Sequence, residues 1–182
     1  MTDARLFLAL AAIAAAAAAS TAVPARAQPT EEAVKAAFIP RFARYVEWPL
    51  PVRPGAGAAF QLCVIGQDPF RRLLDNAAAT ESIDGHGVNV RRLASAADAT
   101  GCHLAYVQSG APAETGRLLL ALRRHPVLTV TDARSGPQRG IIHFTVVSGR
   151  VRFFIDEAQA AERGLSISSR LLALAAGVRP RR

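Results

Sequence analysis

Between Phe60 and Thr131 the chain alternates short apolar runs with helix-forming stretches, and this alternation constrains the fold more than any other feature. Phe60 to Ile65 is apolar and closes at Gly66; Asp68-Pro69 then supplies an N-cap and a first-turn proline for a helix through about Ala79. After the turn Asp84-Gly85-His86-Gly87, Val88 to Leu93 reads as a strand, followed by a short helical or irregular piece and a strand over His103 to Val107. Glu114 to Arg124 reads as a helix with Leu118, Leu119 and Leu122 inward, and Val127 to Thr131 as another buried strand. Parallel strands need crossover connections, and helices laid over a parallel sheet leave its strands apolar on both sides. The alternation therefore predicts an α/β fold: a mainly parallel sheet flanked by helices on both faces, with Rossmann or flavodoxin-like layering.

The pattern changes toward the C-terminus. Ile141 to Val147 and Arg150 to Ile155 flank Ser148-Gly149, which predicts an antiparallel hairpin. Val151, Phe153 and Ile155 alternate with Arg150, Arg152 and Phe154, so one face packs inward and the other carries charge, broken only by Phe154. A final helix is expected from Ser166 or Ser168 to Ala176, with Gly177 as C-cap and Pro180 beyond it. Upstream, Glu31 to Tyr45 reads as a helix capped by Thr30, with Val34, Ala37, Phe38, Phe42 and Tyr45 as its apolar stripe. Pro40 lies inside it and predicts a kink or a restart. Pro49 to Ala59 has the composition of a loop.

The first 27 residues belong to targeting. Arg5 precedes an unbroken apolar run from Leu6 to Ala19, and Ala25-Arg26-Ala27 is a small-x-small cleavage site. A membrane span needs roughly 20 apolar residues, and Ser20, Thr21 and Pro24 interrupt this run. Residues 1–27 are thus expected to be a signal peptide and 28–182 a single exported domain in an oxidising compartment. The charge is almost all arginine, Lys35 being the only lysine in a chain of net charge +8. Arg71-Arg72, Arg91-Arg92, Arg123-Arg124 and the tail Arg179 to Arg182 are scattered and lack interleaved aromatics, which argues against nucleic acid. An anionic surface or an acidic protein face remains a suitable partner.

An ordered set of short motifs carries a family resemblance. Lys35-Ala36-Ala37-Phe38, Phe42, Tyr45-Val46-Glu47-Trp48-Pro49 and Leu62-Cys63-Val64-Ile65-Gly66-Gln67-Asp68-Pro69-Phe70 come first. Ile83-Asp84-Gly85, Gly101-Cys102-His103, Leu128 to Asp132, Gly140-Ile141-Ile142 and Gly164 to Leu172 follow. Together they resemble the YfiR family of bacterial periplasmic proteins over nearly all of the mature chain. Two positions depart from the family pattern: Pro40, where a residue suited to a straight helix is usual, and Asp156, where asparagine is common. The resemblance implies a periplasmic regulator rather than an enzyme. Such a protein binds the periplasmic sensor domain of an inner-membrane diguanylate cyclase, holds cyclic-di-GMP synthesis and biofilm formation down, and forms a homodimer. An outer-membrane or cell-wall lipoprotein can sequester it. The alternative from a different class is a periplasmic solute- or cell-wall-binding module, for which the basic charge and a strand-end crevice are the hints.

Cys63 falls in the first predicted strand and Cys102 just before the third, and a doubly wound order such as 2-1-3 makes those strands neighbours. A disulfide is then geometrically reasonable, with two buried free thiols as the other reading. Export favours the bond, and the resemblance agrees. His86, His103, His125 and His143 lack metal-ligand spacing, so no metal or other cofactor is expected, and His143 reads as a surface or partner-facing side chain of the hairpin. There is no Gly-x-Ser-x-Gly elbow, and Ser168-Ser169 reads as a helix cap. For partner binding the candidates are Trp48, the hairpin face of Arg150, Arg152 and Phe154, and Arg170 on the last helix, weighed against Trp48 simply packing on the sheet.

Overall fold

Thr30 accepts a hydrogen bond from the Ala33 N–H and caps helix α1 (Glu31–Phe42), which passes into a 3-10 turn over Ala43–Tyr45. These elements come from a computed structural model that describes residues 28–181; the expected signal peptide lies outside the described residues. Helix α1 runs on through Pro40, and the change of helix type comes after the proline. The apolar stripe also differs from expectation. Lys35, Ala36, Ile39, Pro40 and Phe42 are buried while Phe38 is 37% exposed. Ala36, Ile39 and Ala43 form an equally regular helical stripe. Choosing it places the Lys35 ammonium against a buried carboxylate, as described below.

The chain continues through β1 (Val46–Glu47), β2 (Phe60–Gly66), α2 (Arg72–Ala79), β3 (Ser82–Ile83), β4 (His86–Leu93) and β5 (Leu104–Gln108). Then come α3 (Pro112–Ala121), β6 (Leu128–Asp132), β7 (Ile142–Val147), β8 (Arg150–Asp156), α4 (Glu157–Glu162), β9 (Ser166–Ile167), α5 (Ser169–Leu174) and β10 (Gly177–Arg179). The main sheet has the order β10-β8-β7-β6-β5-β2-β4-β3. Strands β4, β2, β5, β6 and β7 pair parallel, as do β8 and β10. The antiparallel pairs are β3 with β4, β7 with β8, and the separate pair β1 with β9. The fold is thus mixed α/β on a mostly parallel sheet.

Alternation along β2 divides the core in two. Leu62 and Val64 join a cluster with Ala36, Ile39 and Phe42 of α1, Leu74 of α2 and Leu171 of α5. Cys63 and Ile65 point the other way and meet Leu118 and Leu119 of α3, with Leu122 and Ala99. Cys63 and Cys102 are joined by a disulfide with their Cα atoms 6.0 Å apart, because β2 lies beside β5 in the register Leu62 opposite Leu104. The two-thiol reading is set aside.

Several boundaries depart from the sequence reading. Asp68 does not cap a helix at Pro69: its Oδ1 accepts from the Phe70 and Arg71 N–H groups in a turn, and α2 begins only at Arg72. The turn after α2 is tighter than expected, with Asp84 and Gly85 at φ +50° and +85°, so that β3 and β4 form an extra hairpin. Ser168 caps α5, its Oγ accepting from the Arg170 N–H. Gly177 is not a C-cap; it opens β10, where a Cβ would meet the Phe154 ring at 2.9 Å. Helix α4 was not anticipated and is capped by Asp156, whose carboxylate accepts from the Gln159 N–H at 2.9 Å.

Candidate functional site

In open α/β sheets ligands usually enter at the carboxyl ends of the strands. Here that position beside β6 is filled by the chain itself. The Lys35 side chain is 0% exposed, and its Nζ donates to Glu31 of its own helix and to Asp132 at the end of β6. Asp132 also accepts from the Arg134 N–H at 2.9 Å, and the Arg134 guanidinium meets Glu32 at 3.0 Å and Glu31 at 3.3 Å. Below them the Tyr106 hydroxyl donates to Gln108 at 2.6 Å, and burial, then the Asp132 charge, push its phenol above the ordinary range. Two cations and three carboxylates thus satisfy one another within the fold. Their chemistry is that of a clamp holding α1 onto the central strand.

The hairpin of β7 and β8 offers a different surface. Ser148 and Gly149 turn with φ +49° and +71°, and the strands pair from Val147 opposite Arg150 to Ile142 opposite Ile155. Partners in an antiparallel pair share a face. One face carries Phe144 and Phe153 into the core, where Phe153 meets Phe42 edge-on at 5.0 Å. The other presents Val147 with Arg150, Thr145 with Arg152 and His143 with Phe154. Arg150 and Arg152 are exposed. Phe154 is half-buried, with the Arg139 guanidinium 5.7 Å from its ring centroid.

His143 closes this face and is not the surface side chain expected of it. It is only 4% exposed and shares a hydrogen bond of 2.9 Å with Thr131 Oγ1. Burial, then the Arg139 charge, push its imidazole down to about 4. Beyond Phe154 a cleft of about 580 Å³ runs between Gly140 and β10, reaching Asp156, Gln159 and Arg179, with Arg179 paired to Asp156 at 3.0 Å.

The five partner-binding candidates do not form one surface. Arg150, Arg152 and Phe154 share the hairpin face. Trp48 is 5% exposed; its Nε1 donates to the His103 carbonyl at 3.1 Å, and its ring stands edge-on to Phe60 at 5.1 Å. This corrects its reading as a contact residue, since an apolar ring with a satisfied N–H packs inside. Arg170 is exposed on α5, whose Leu171 joins the core on the side of Phe153, opposite the hairpin arginines. His103 is buried as well, its Nδ1 accepting from the Gln61 N–H at 2.9 Å, and burial lowers its pKa.

Gln159 and Arg163 were missed as site residues because α4 was, and Arg139 because it lies in the irregular segment before β7. The signal was present as Asp156 followed three residues on by Gln159 before an alanine-rich run, a capping pattern. Among the described residues no group of three His, Cys, Asp or Glu side chains could hold a metal ion. Among them, too, no helix is long and apolar enough to cross a membrane. Residues 32–176 of the chain match the family described as YfiR/HmsC-like. No curated protein matches the chain.

Proposed function

The chain belongs to the YfiR/HmsC-like family, and on that premise we propose that it is an exported periplasmic regulator that binds the periplasmic sensor domain of an inner-membrane diguanylate cyclase and holds cyclic-di-GMP synthesis down. The observation that carries this reading is the family match over nearly the whole mature chain. The open face of the hairpin supports it. Arg150 and Arg152 have no ion-pair partner among the described residues, unlike Arg41, Arg92 and Arg134, which are paired. Two free guanidinium groups beside a half-buried Phe154 are the anchor chemistry that protein interfaces favour, and they suit an acidic partner face. Action is by occupancy and not by catalysis. A homodimer, and sequestration by an outer-membrane or cell-wall lipoprotein, belong to the same proposal. So does flavodoxin-like layering: the parallel strands β4, β2, β5, β6 and β7 stand in the order 2-1-3-4-5 when numbered along the chain.

The experiment is intracellular cyclic-di-GMP in the native bacterium with the gene intact, deleted and restored, under conditions where a partner cyclase is expressed. Deletion raises the level and restoration returns it. An unchanged level overturns repression. A second reading, a solute- or cell-wall-binding module, is favoured by the cleft of about 580 Å³ beside Phe154. Titration of the purified protein with cell-wall fragments separates the two.

A further inference from the structure

Behind α4 the fold buries an arginine without an anion. Arg163 is 7% exposed, and its guanidinium donates to the Val127 carbonyl at 3.1 Å, to Thr129 Oγ1 at 3.3 Å and to Gln159 Oε1 at 3.0 Å. All three acceptors are neutral. A guanidinium carries five N–H donors, so Nε and one Nη2 hydrogen find no acceptor among the described residues. The acids of the neighbouring segment are engaged elsewhere, Asp156 with Arg179 at 3.0 Å and Glu157 with Arg181 at 2.9 Å. Glu162, adjacent in sequence, is exposed and forms no ion pair with Arg163. A buried charge without a counter-charge is costly, and folds that carry one usually supply an ion to it.

Arg163 lines a groove of about 290 Å³ together with Arg123, Arg139, Gln138, Gln159 and Gly116. Neither Arg123 nor Arg139 is ion-paired among the described residues; Arg139 instead lies over the Phe154 ring. The charge of Arg123 acts unfavourably on Arg163, adding to the effect of burial. The charges of Glu162 and Asp156 act the other way from a distance, but three guanidinium groups line one groove here and none of them is ion-paired among the described residues. Gly116 of α3 also lines the groove, and a Cβ there would stand 3.3 Å from the exposed Gln138 side chain. The groove shares Arg139 and Gln159 with the larger cleft beside Phe154.

We propose that this groove is an oxyanion-binding site, in which Arg123, Arg139 and Arg163 hold the phosphoryl or carboxylate group of a small molecule. Guanidinium forks match the oxygens of both groups, and a bound anion supplies the acceptors and the negative charge that Arg163 lacks. Gln138 furnishes a neutral donor at the rim, while Gln159 is engaged by Arg163 and Asp156. The body of the ligand extends toward Phe154 through the shared Arg139. Nothing in this site depends on the cyclase reading, and its test uses the purified mature protein alone.

The test is calorimetric titration with inorganic phosphate and, in a separate arm, with citrate, in a low-salt buffer free of other oxyanions. Thermal melts accompany each titration. The native protein binds at least one of the two anions saturably, and the arm that saturates identifies the group. In Arg123→Gln/Arg139→Gln, whose substitutions are on exposed side chains, binding weakens by about tenfold or more while the melting temperature without anion falls by no more than about 4 °C, the worth of the Arg139 contact with Phe154. Arg163→Met removes binding as well, and without anion it melts no lower than a Thr129→Val control of the same pocket. Linear, unsaturable responses in both arms overturn the proposal, as does equal affinity in the native protein and the double variant.

Discussion

The clamp between Lys35 and Asp132 makes the sharpest demand on stability. Both side chains are buried, at 0% and 3% exposure, and they tie the first helix to the central strand across 97 positions of sequence. Removing one member of a buried pair costs about 3–5 kcal/mol because the other is left uncompensated. In Asp132→Asn, Lys35 keeps Glu31, whose side chain is one-third exposed, so the loss falls at the lower end, about 3 kcal/mol. A domain of this size loses about 2–4 °C per kcal/mol, and the melting temperature should fall by about 6–12 °C. Lys35→Met leaves Asp132 with the Arg134 N–H and a guanidinium contact at 3.8 Å, and costs about 2–3 kcal/mol. The double variant buries neither charge and should recover at least about 1 kcal/mol of the summed losses. Urea unfolding at neutral pH measures all three, read by the fluorescence of Trp48, the only tryptophan in the chain. If the two single losses simply add, the pair is not a clamp.

Replacing Cys63 and Cys102 with serine opens a loop spanning 39 positions, worth about 4 kcal/mol of denatured-state entropy, and should lower the melting temperature by about 8–16 °C; an unchanged midpoint would contradict it. His143 titrates near 4 in the folded protein and near 6.5 when unfolded, so between those values the unfolded chain binds the extra proton. Its contribution is therefore full above about 6.5 and is lost as the pH falls toward 4, and His143→Gln should flatten the pH dependence of stability across that window, leaving the part due to His103, which burial shifts the same way. Trp48→Phe deletes the hydrogen bond to the His103 carbonyl and should cost about 1 kcal/mol in thermal melts without altering partner affinity, since the ring is inside. A loss of affinity in a variant that melts normally would return Trp48 to the interface.

The parallel core was legible because its signals are local. Leu62, Val64, Leu104 and Val130 sit in runs buried on both faces, and Gly66 closes the first of them. The arginine face of the hairpin was legible for a related reason: strict alternation at Arg150 and Arg152 survives whatever packs on the other side. What escaped depends on distant partners. The burial of Lys35 rather than Phe38 is decided by Asp132, and periodicity alone cannot choose between two adjacent stripes. Gly177 has the sequence of a helix stop, yet its role is to let β10 approach Phe154. His143 looked exposed because alternation names a face without saying what covers it, and Arg139 and Phe154 cover this one.

The proposed regulatory role rests on docking of the hairpin face on the periplasmic domain of a diguanylate cyclase. Its most direct test is the affinity of the purified mature protein for that isolated domain, with the native sequence and with Arg150→Glu/Arg152→Glu. Both side chains are exposed and unpaired among the described residues, so the variant should melt as the native protein does. The native protein should bind with an affinity that falls as salt rises, and the charge-reversed variant should bind at least about a hundredfold more weakly. Equal affinity in a folded variant would move the interface off the hairpin, and no binding by the native protein would contradict the regulatory reading itself.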